Sequence, residues 1–284
     1  MNPIEIIFYS TPLAIAAIGE VIGQKSGVIN IGLEGMILAG AYGGLVGTLL
    51  TNSPWTGLLV GTTFGLILGL LQLYFVLKLA LDQVLVGTAI NLLALGVTST
   101  LFRKQFGQAG QLTSLPSIPS IYGIDVVMLF CIALIPMTWW LLTKSRWGLL
   151  VRAGGEYPAA VKASGNSVIK LRFQACIIAA LLAGLGGAYL SCGVASSFTE
   201  NMSAGRGLVA IALVTFGRWK PTWVWAAALL IGFCEALQFK LQTLNLNIPT
   251  EFALALPYIA ALSVLIIVGK GSKMPASLAL PYKE

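Results

Sequence analysis

Long apolar stretches follow one another along this chain with almost no room between them. Windows rich in Leu, Ile, Val, Ala, Gly and Phe lie at 4–22, 31–50, 56–77, 83–102, 125–143, 173–192, 206–217, 222–239 and 253–268. A helix of about 20 apolar residues crosses the roughly 30 Å hydrocarbon core of a bilayer. Backbone inside that core must satisfy its own hydrogen bonds, so helices are the solution open to such runs. The pattern predicts an all-α fold: a polytopic transmembrane helical bundle, with residues 1–284 forming a single membrane domain. The window 206–217 is about half a crossing in length. It predicts a broken or re-entrant helix packed against protein, and the expected number of spans is eight or nine. Composition agrees. Only 10% of residues are charged, against about 25% in soluble domains, and the mean hydropathy is +0.88. The first window lacks a basic leader and runs too far for a cleavable signal, so it reads as a membrane helix.

Charge sets the expected orientation. Segment 144–172 carries Lys144, Arg146, Arg152, Lys162, Lys170 and Arg172 against one acid, Glu156. Basic loops stay on the cytoplasmic side, so this is the cytoplasmic loop. Counting outward places Lys25, Lys78, Arg218, Lys220, Lys270, Lys273 and Lys283 inside, with loop 103–124 and segment 240–252 outside. The N-terminus is then outside and the C-terminus cytoplasmic; Arg103 and Lys104 run against the scheme. The net charge of +7 is accounted for by these flanks. No soluble domain is left to carry a nucleic-acid-binding patch, so membrane lipid is the expected environment and nucleic acid is not a partner.

Several chemistries are excluded. The chain has no histidine, which removes HExxH zinc sites and serine–histidine proteolysis. Asp82 and Asp125 sit at span ends, so no embedded aspartyl dyad forms. Cys131, Cys176, Cys192 and Cys234 lie in apolar runs without CxxC spacing and read as small hydrophobes. There is no GxxxxGK[ST] loop, so the chain cannot hydrolyse ATP. No catalytic residue, metal site or cofactor is expected on it.

Polar groups within the spans are few, and such groups face a cavity or a partner. Glu235 and Gln238 lie three residues apart in "GFCEALQF", on one face with Gly232. Gln83, Gly87 and Asn91 recur every four residues in the fourth span, and Thr98 follows. These faces either line a translocation path or hydrogen-bond neighbouring helices, and the residue types suit both; for Thr98 packing is the simpler use. "GQKSGVINIGLEG" is polar and glycine-rich at membrane depth. Asn30 is expected to cap a helix starting near Ile31, with Glu34 in its first turns where the helix dipole favours negative charge. A pore-lining role for Asn30 and Glu34 would explain why the stretch is so polar. Gly57, Gly61, Gly65 and Gly69 form a flat strip for close helix approach, and Gly40, Gly44, Gly47, Gly184 and Gly187 point to the same tight packing.

In "SRWGLLVRAGGEYPAAVKASGNSVIKLR" (145–172), Pro158 and Gly165 bracket a short small-residue helix, with Glu156 favouring its start. Such a helix is either a plain connection on the membrane surface or a docking piece for an ATPase groove. Here the sequence resembles a family. "SGVINIGLEGMILAGAYGG", "DQVLVGTAINLLALGVTS", "RAGGEYPAAVKASG" and "GRGLVAIALVTFGRWKPTWVWAAALLIGFCEALQ" are similar to permease subunits of bacterial ABC importers, in the group that takes up branched-chain amino acids, ribose-like sugars and nucleosides. The wording at 27–35 resembles the nucleoside and simple-sugar branch most closely. The resemblance runs in order from about residue 10 to 270.

The resemblance implies a multi-pass protein of the bacterial cytoplasmic (inner) membrane. It implies a second permease subunit, often in a heterodimer, cytoplasmic ATP-binding subunits, and an extracytoplasmic substrate-binding protein, commonly a lipoprotein. The family's coupling helix falls on Glu156, Pro158, Ala159, Ala160, Lys162, Ala163, Ser164 and Gly165; Tyr157 stands where the family often has asparagine. The expected translocation path takes Asn30, Glu34, Gln83, Asn91, Glu235 and Gln238. The expected function is ATP-driven import of a small uncharged polar solute, a nucleoside or simple sugar, by alternating access. Riboflavin and branched-chain amino acids are the alternatives within the family. An ion-coupled secondary transporter is the rival from another class, since Glu235 and the short seventh window suit an ion site.

Overall fold

The structure is a computed structural model and describes residues 2–107, 114–243, 250–268 and 274–282. Lys270, Lys273 and Lys283, and residues 244–249 of the segment expected outside, lie outside the described residues. The helices are α1 (Pro3–Lys25), α2 (Leu33–Thr51), α3 (Pro54–Leu73), α4 (Gln83–Phe106), α5 (Val126–Lys144), α6 (Arg146–Glu156), α7 (Pro158–Ala163), α8 (Val168–Tyr189), α9 (Arg206–Phe216), α10 (Pro221–Thr243) and α11 (Thr250–Val268). A π-helical turn extends α3 through Tyr74–Lys78, and another extends α8 through Leu190–Val194. A two-residue hairpin, β1 (Ser120–Ile121) with β2 (Ile124–Asp125), qualifies the all-α expectation. Seven described helices are long and apolar enough to cross a membrane, and α9 is a shorter apolar helix. The chain is a polytopic helical membrane protein.

The boundaries follow local chemistry. Asn2 and Glu5 form a reciprocal capping box ahead of Pro3 at the first helical position of α1, satisfying backbone donors that a helix start leaves orphaned. The Asp82 carboxylate accepts from the N–H groups of Val84 and Leu85 and starts α4. Asp125 caps α5 through Met128 N–H and accepts a 2.5 Å hydrogen bond from the Tyr189 hydroxyl. That contact ties α5 to the end of α8.

Helices α1, α2 and α8 form the buried centre, with 78% of each apolar window buried, against 28% for α4. Helix α1 is enclosed from Ser10 to Gln24, which explains its apolarity on every face. Lipid tails are as apolar as leucine, so packing rather than water exclusion must hold the helices together. The glycine strip of α3 supplies it. A Cβ at Gly61 would lie 2.3 Å from the Gly40 carbonyl oxygen, and one at Gly65 would lie 2.4 Å from Gly184 Cα. No side chain fits there, and α2, α3 and α8 meet backbone to backbone.

Two local expectations are corrected. Asn30 does not cap α2: Gly32 takes the N-cap position and the helix starts at Leu33. The Asn30 side chain donates instead to Met36 Sδ. Glu156 does not open the short loop helix. It ends α6, Tyr157 stands at the N-cap, and Pro158 begins α7, because proline fixes φ and needs no donor at a helix start.

Candidate functional site

The starts of α2 and α9 meet, and each is fed by an irregular segment. Residues 26–32 leave α1 and feed α2, and residues 195–205 leave α8 and feed α9. Where water is excluded, their backbone groups need protein partners. Glu34 provides two. Its carboxylate accepts from Gly205 N–H at 2.7 Å and from Gly207 N–H at 2.6 Å. It thereby caps α9, where orphan amides and the helix dipole favour negative charge. Gly205 has φ +81°, the left-handed region that glycine enters freely. A Cβ on Gly207 would lie 2.4 Å from Glu34 N, so the first turn of α9 rests directly on α2.

The polar stripe of α4 holds the other side of the same segment. Asn91 Oδ1 accepts from Gly35 N–H at 2.8 Å while its Nδ2 donates to the Ile31 carbonyl at 2.9 Å. Gln83 Oε1 accepts from Ile29 N–H at 2.8 Å. Both amides are committed to backbone, which fits the interhelical use. Thr98 donates within its own helix to Ala94. Asn30 is buried, and its N–H donates to Glu20 Oε1 at 3.0 Å. Glu20 also accepts from Gln24, whose own oxygen accepts from Trp219 Nε1 at 2.7 Å.

Glu235 lies roughly 21 Å along α10 from its Pro221 end at 1.5 Å per residue, in the interior of a helix long and apolar enough to cross a membrane. It pairs with Arg206 at 3.2 Å, with the two side chains 11% and 25% exposed. Arg206 also donates to the Met202 carbonyl, and the Tyr258 hydroxyl donates to the Ala204 carbonyl. Gln238 is half-buried one turn beyond Glu235. Nearby on α1 and α10, Tyr9 and Phe239 stack at 4.9 Å between centroids. The structure therefore brings Glu34 and Glu235 to the two sides of α9's first turn. Gln83 and Asn91 instead hold the 29–35 stretch that carries Glu34 from the α4 side, and Asn30 lies within that stretch, with its N–H donating to Glu20. The site offers hydrogen-bonding groups and aromatic faces. The two carboxylates at the first turn of α9 are already matched, by amides at Glu34 and by a guanidinium at Glu235.

The loop joining α5 to α8 has its own design. In α7 only Val161 is buried, while Ala159, Ala160, Lys162, Ala163, Ser164 and Gly165 are exposed and Pro158 is half-buried. One apolar anchor thus holds a helix whose remaining surface is small. The segment 274–282 runs from the end of α6 to the α1–α2 turn. Ala276 N–H donates to Glu156, Ser277 Oγ donates to the Gly155 carbonyl at 2.7 Å, and Ala279 N–H donates to the Gly27 carbonyl. Arg172, 1% exposed, donates to the carbonyls of Ser26 and Leu280 and to Ser277 Oγ.

Sequence reasoning passed over Glu20, Arg206 and Arg172. Glu20 carried a usable signal, an acid inside the first apolar window. Arg206 stood at the edge of a short span and Arg172 inside a basic loop, where a cation is ordinary. Their partners lie 29 and at least 105 residues away respectively, beyond any local pattern.

The sequence model of a family described as branched-chain amino acid transport system / permease component matches residues 2–268. The chain is 32% identical to the guanosine ABC transporter permease protein NupQ of Bacillus subtilis, over 97% of this chain and 94% of that protein. It is 34% identical to TsgC13 of Haloferax volcanii, a glucose ABC transporter permease protein by name, over 87% and 79%. It is 29% identical to the nucleoside ABC transporter permease protein NupC of Lactococcus lactis, over 93% and 91%. Permeases of this kind act with ATPase and substrate-binding components. The chain belongs to the branched-chain amino acid transport system permease family, as a multi-pass inner-membrane transport component and not an enzyme.

Proposed function

We propose that the chain is the permease of an ABC importer for nucleosides, with purine nucleosides such as guanosine as substrates. The observation that carries this reading is similarity over 97% of the chain to a guanosine permease. The site chemistry supports it. A charged solute would need an uncompensated opposite charge on its path, but Glu34 and Glu235 are both matched. A nucleoside offers a hydrogen-bonding edge, a ribose and a stacking face, which suit Gln238, the Arg206–Glu235 pair and the Tyr9–Phe239 aromatics. A sugar is the second reading, favoured by the 34% identity to TsgC13.

In this proposal Glu34, Glu235 and Gln238 border the path, while Asn30, Gln83 and Asn91 position the segment that carries Glu34. The N-terminus is outside and the C-terminus cytoplasmic. A second, non-identical permease completes the pore, and an extracytoplasmic lipoprotein delivers the ligand. The exposed small residues of α7 dock into a cytoplasmic ATPase. Movement of α7 would reach the 26–35 segment through Glu156, the 274–282 strap and Arg172. The test is uptake of labelled guanosine in cells whose own nucleoside carriers are deleted and which express the full transporter. Unlabelled adenosine should compete and glucose should not. Competition by glucose alone would reverse the substrate assignment.

A further inference from the structure

An open groove of about 550 Å³ lies between the end of α3 and the start of α8, away from the Glu34–Glu235 site. Lys78 closes the π-helical turn of α3, and Lys170 lies in the first turn of α8, so the two cations line the same end of the groove. Leu70 and Tyr74 on α3, and Phe173 on α8, line it at deeper levels, and they are 40%, 48% and 41% exposed. The groove thus runs from a cationic mouth to an apolar wall, in the order that a phospholipid runs from headgroup to chain.

Four features separate it from an ordinary basic flank. Lys78 Nζ sits 5.4 Å from the centre of the Tyr74 ring, a cation–π contact that holds the ammonium against the groove wall. The π turn, closed by Leu79 N–H on the Tyr74 carbonyl, carries that lysine, and such turns gather at functional sites. Among the described residues neither lysine has a carboxylate ion-pair partner. The first turn of α8 adds positive dipole potential at the same place.

We propose that this groove is a binding site for an acidic diacyl phospholipid. The phosphate lies between Lys78 and Lys170, and an acyl chain lies along Leu70, Tyr74 and Phe173. A choline or ethanolamine headgroup would bring its own cation into a pair of ammoniums, whereas a headgroup of net negative charge would not. Lys170 follows directly on the 144–167 loop, so the bound lipid braces the helix that the loop enters.

The test uses the full transporter complex and native mass spectrometry, with phosphatidylglycerol and phosphatidylcholine as probes. The wild type should retain phosphatidylglycerol in preference to phosphatidylcholine. K78Q/K170Q should weaken phosphatidylglycerol retention roughly thirtyfold, from about fivefold per lysine near an anionic surface. K78R/K170R should restore retention, and Lys144→Gln, outside the groove, should leave it unchanged. Recovery of the ATPase with each variant reports intact assembly. Equal retention of the two lipids by the wild type, or no loss in K78Q/K170Q, overturns the proposal. A cysteine at position 170 that cross-links to the second permease or the ATPase also overturns it, by making the groove a protein interface. These readouts involve no transported solute, so they stand or fall apart from the nucleoside assignment.

Discussion

Arg206 and Glu235 decide how a charge is kept inside this bundle. A buried pair can be neutral or even costly against apolar replacements, yet removing one partner alone costs about 3–5 kcal/mol by leaving the other charge uncompensated. The pair here is partly exposed, so the lower end of that range applies. Glu235→Leu should therefore destabilise the purified complex, while Arg206→Met combined with Glu235→Leu should recover most of the thermal stability. Uptake per folded complex separates the two uses of the pair. If it borders the path, the stable double variant transports poorly; normal uptake by that variant would reduce the pair to packing. The residue types at Glu34, Asn91 and Glu235 marked these positions as special in the sequence. Their partners were not legible, because Gly205, Ile31 and Arg206 are brought to them by folding. Asn30 shows the limit most plainly. Its type suits a cap, but its N–H is taken by Glu20 and Gly32 holds the cap position.

Helices were the most legible level, since a membrane span must be long, apolar and hydrogen-bonded within itself. The window 206–217 predicted a half-length helix, and α9 is Arg206–Phe216. The spacing of glycines in α3 predicted a close contact without naming its other side, which is the backbone of Gly40 and Gly184. Gly61→Leu should push α2 from α3 at a cost above the 1–3 kcal/mol of ordinary overpacking, because the obstacle is backbone. The measurement is yield and thermal unfolding, and wild-type values would contradict the packing described. Helix α7 was legible as short and small-surfaced, but not its Val161 anchor or the strap that holds the end of α6 just ahead of it. Ala160→Arg points a bulky cation from an exposed position. It should release the ATPase during purification while the permease keeps its unfolding temperature. Full ATPase recovery with full uptake would remove α7 from the docking surface.

At the scale of the molecule, the buried centre of α1, α2 and α8 carries a less buried set of helices around it. The starts of α2 and α9 meet through Glu34, and the end of α6, just ahead of α7, is tied to the α1–α2 turn by the 274–282 strap. In the proposed function that layout passes a displacement from the α6–α7 loop to the solute path bordered by Glu34 and Glu235. Permeases of this family act with ATPase components, and the proposed function draws its energy from that partner. The most direct measurement is uptake of labelled guanosine into proteoliposomes holding the purified transporter, its ATPase and the binding protein, with proton and sodium gradients abolished by ionophores. Accumulation that requires ATP hydrolysis and persists without either gradient is the predicted result. Accumulation driven by an imposed ion gradient in the absence of ATP would contradict it and make the chain a secondary carrier.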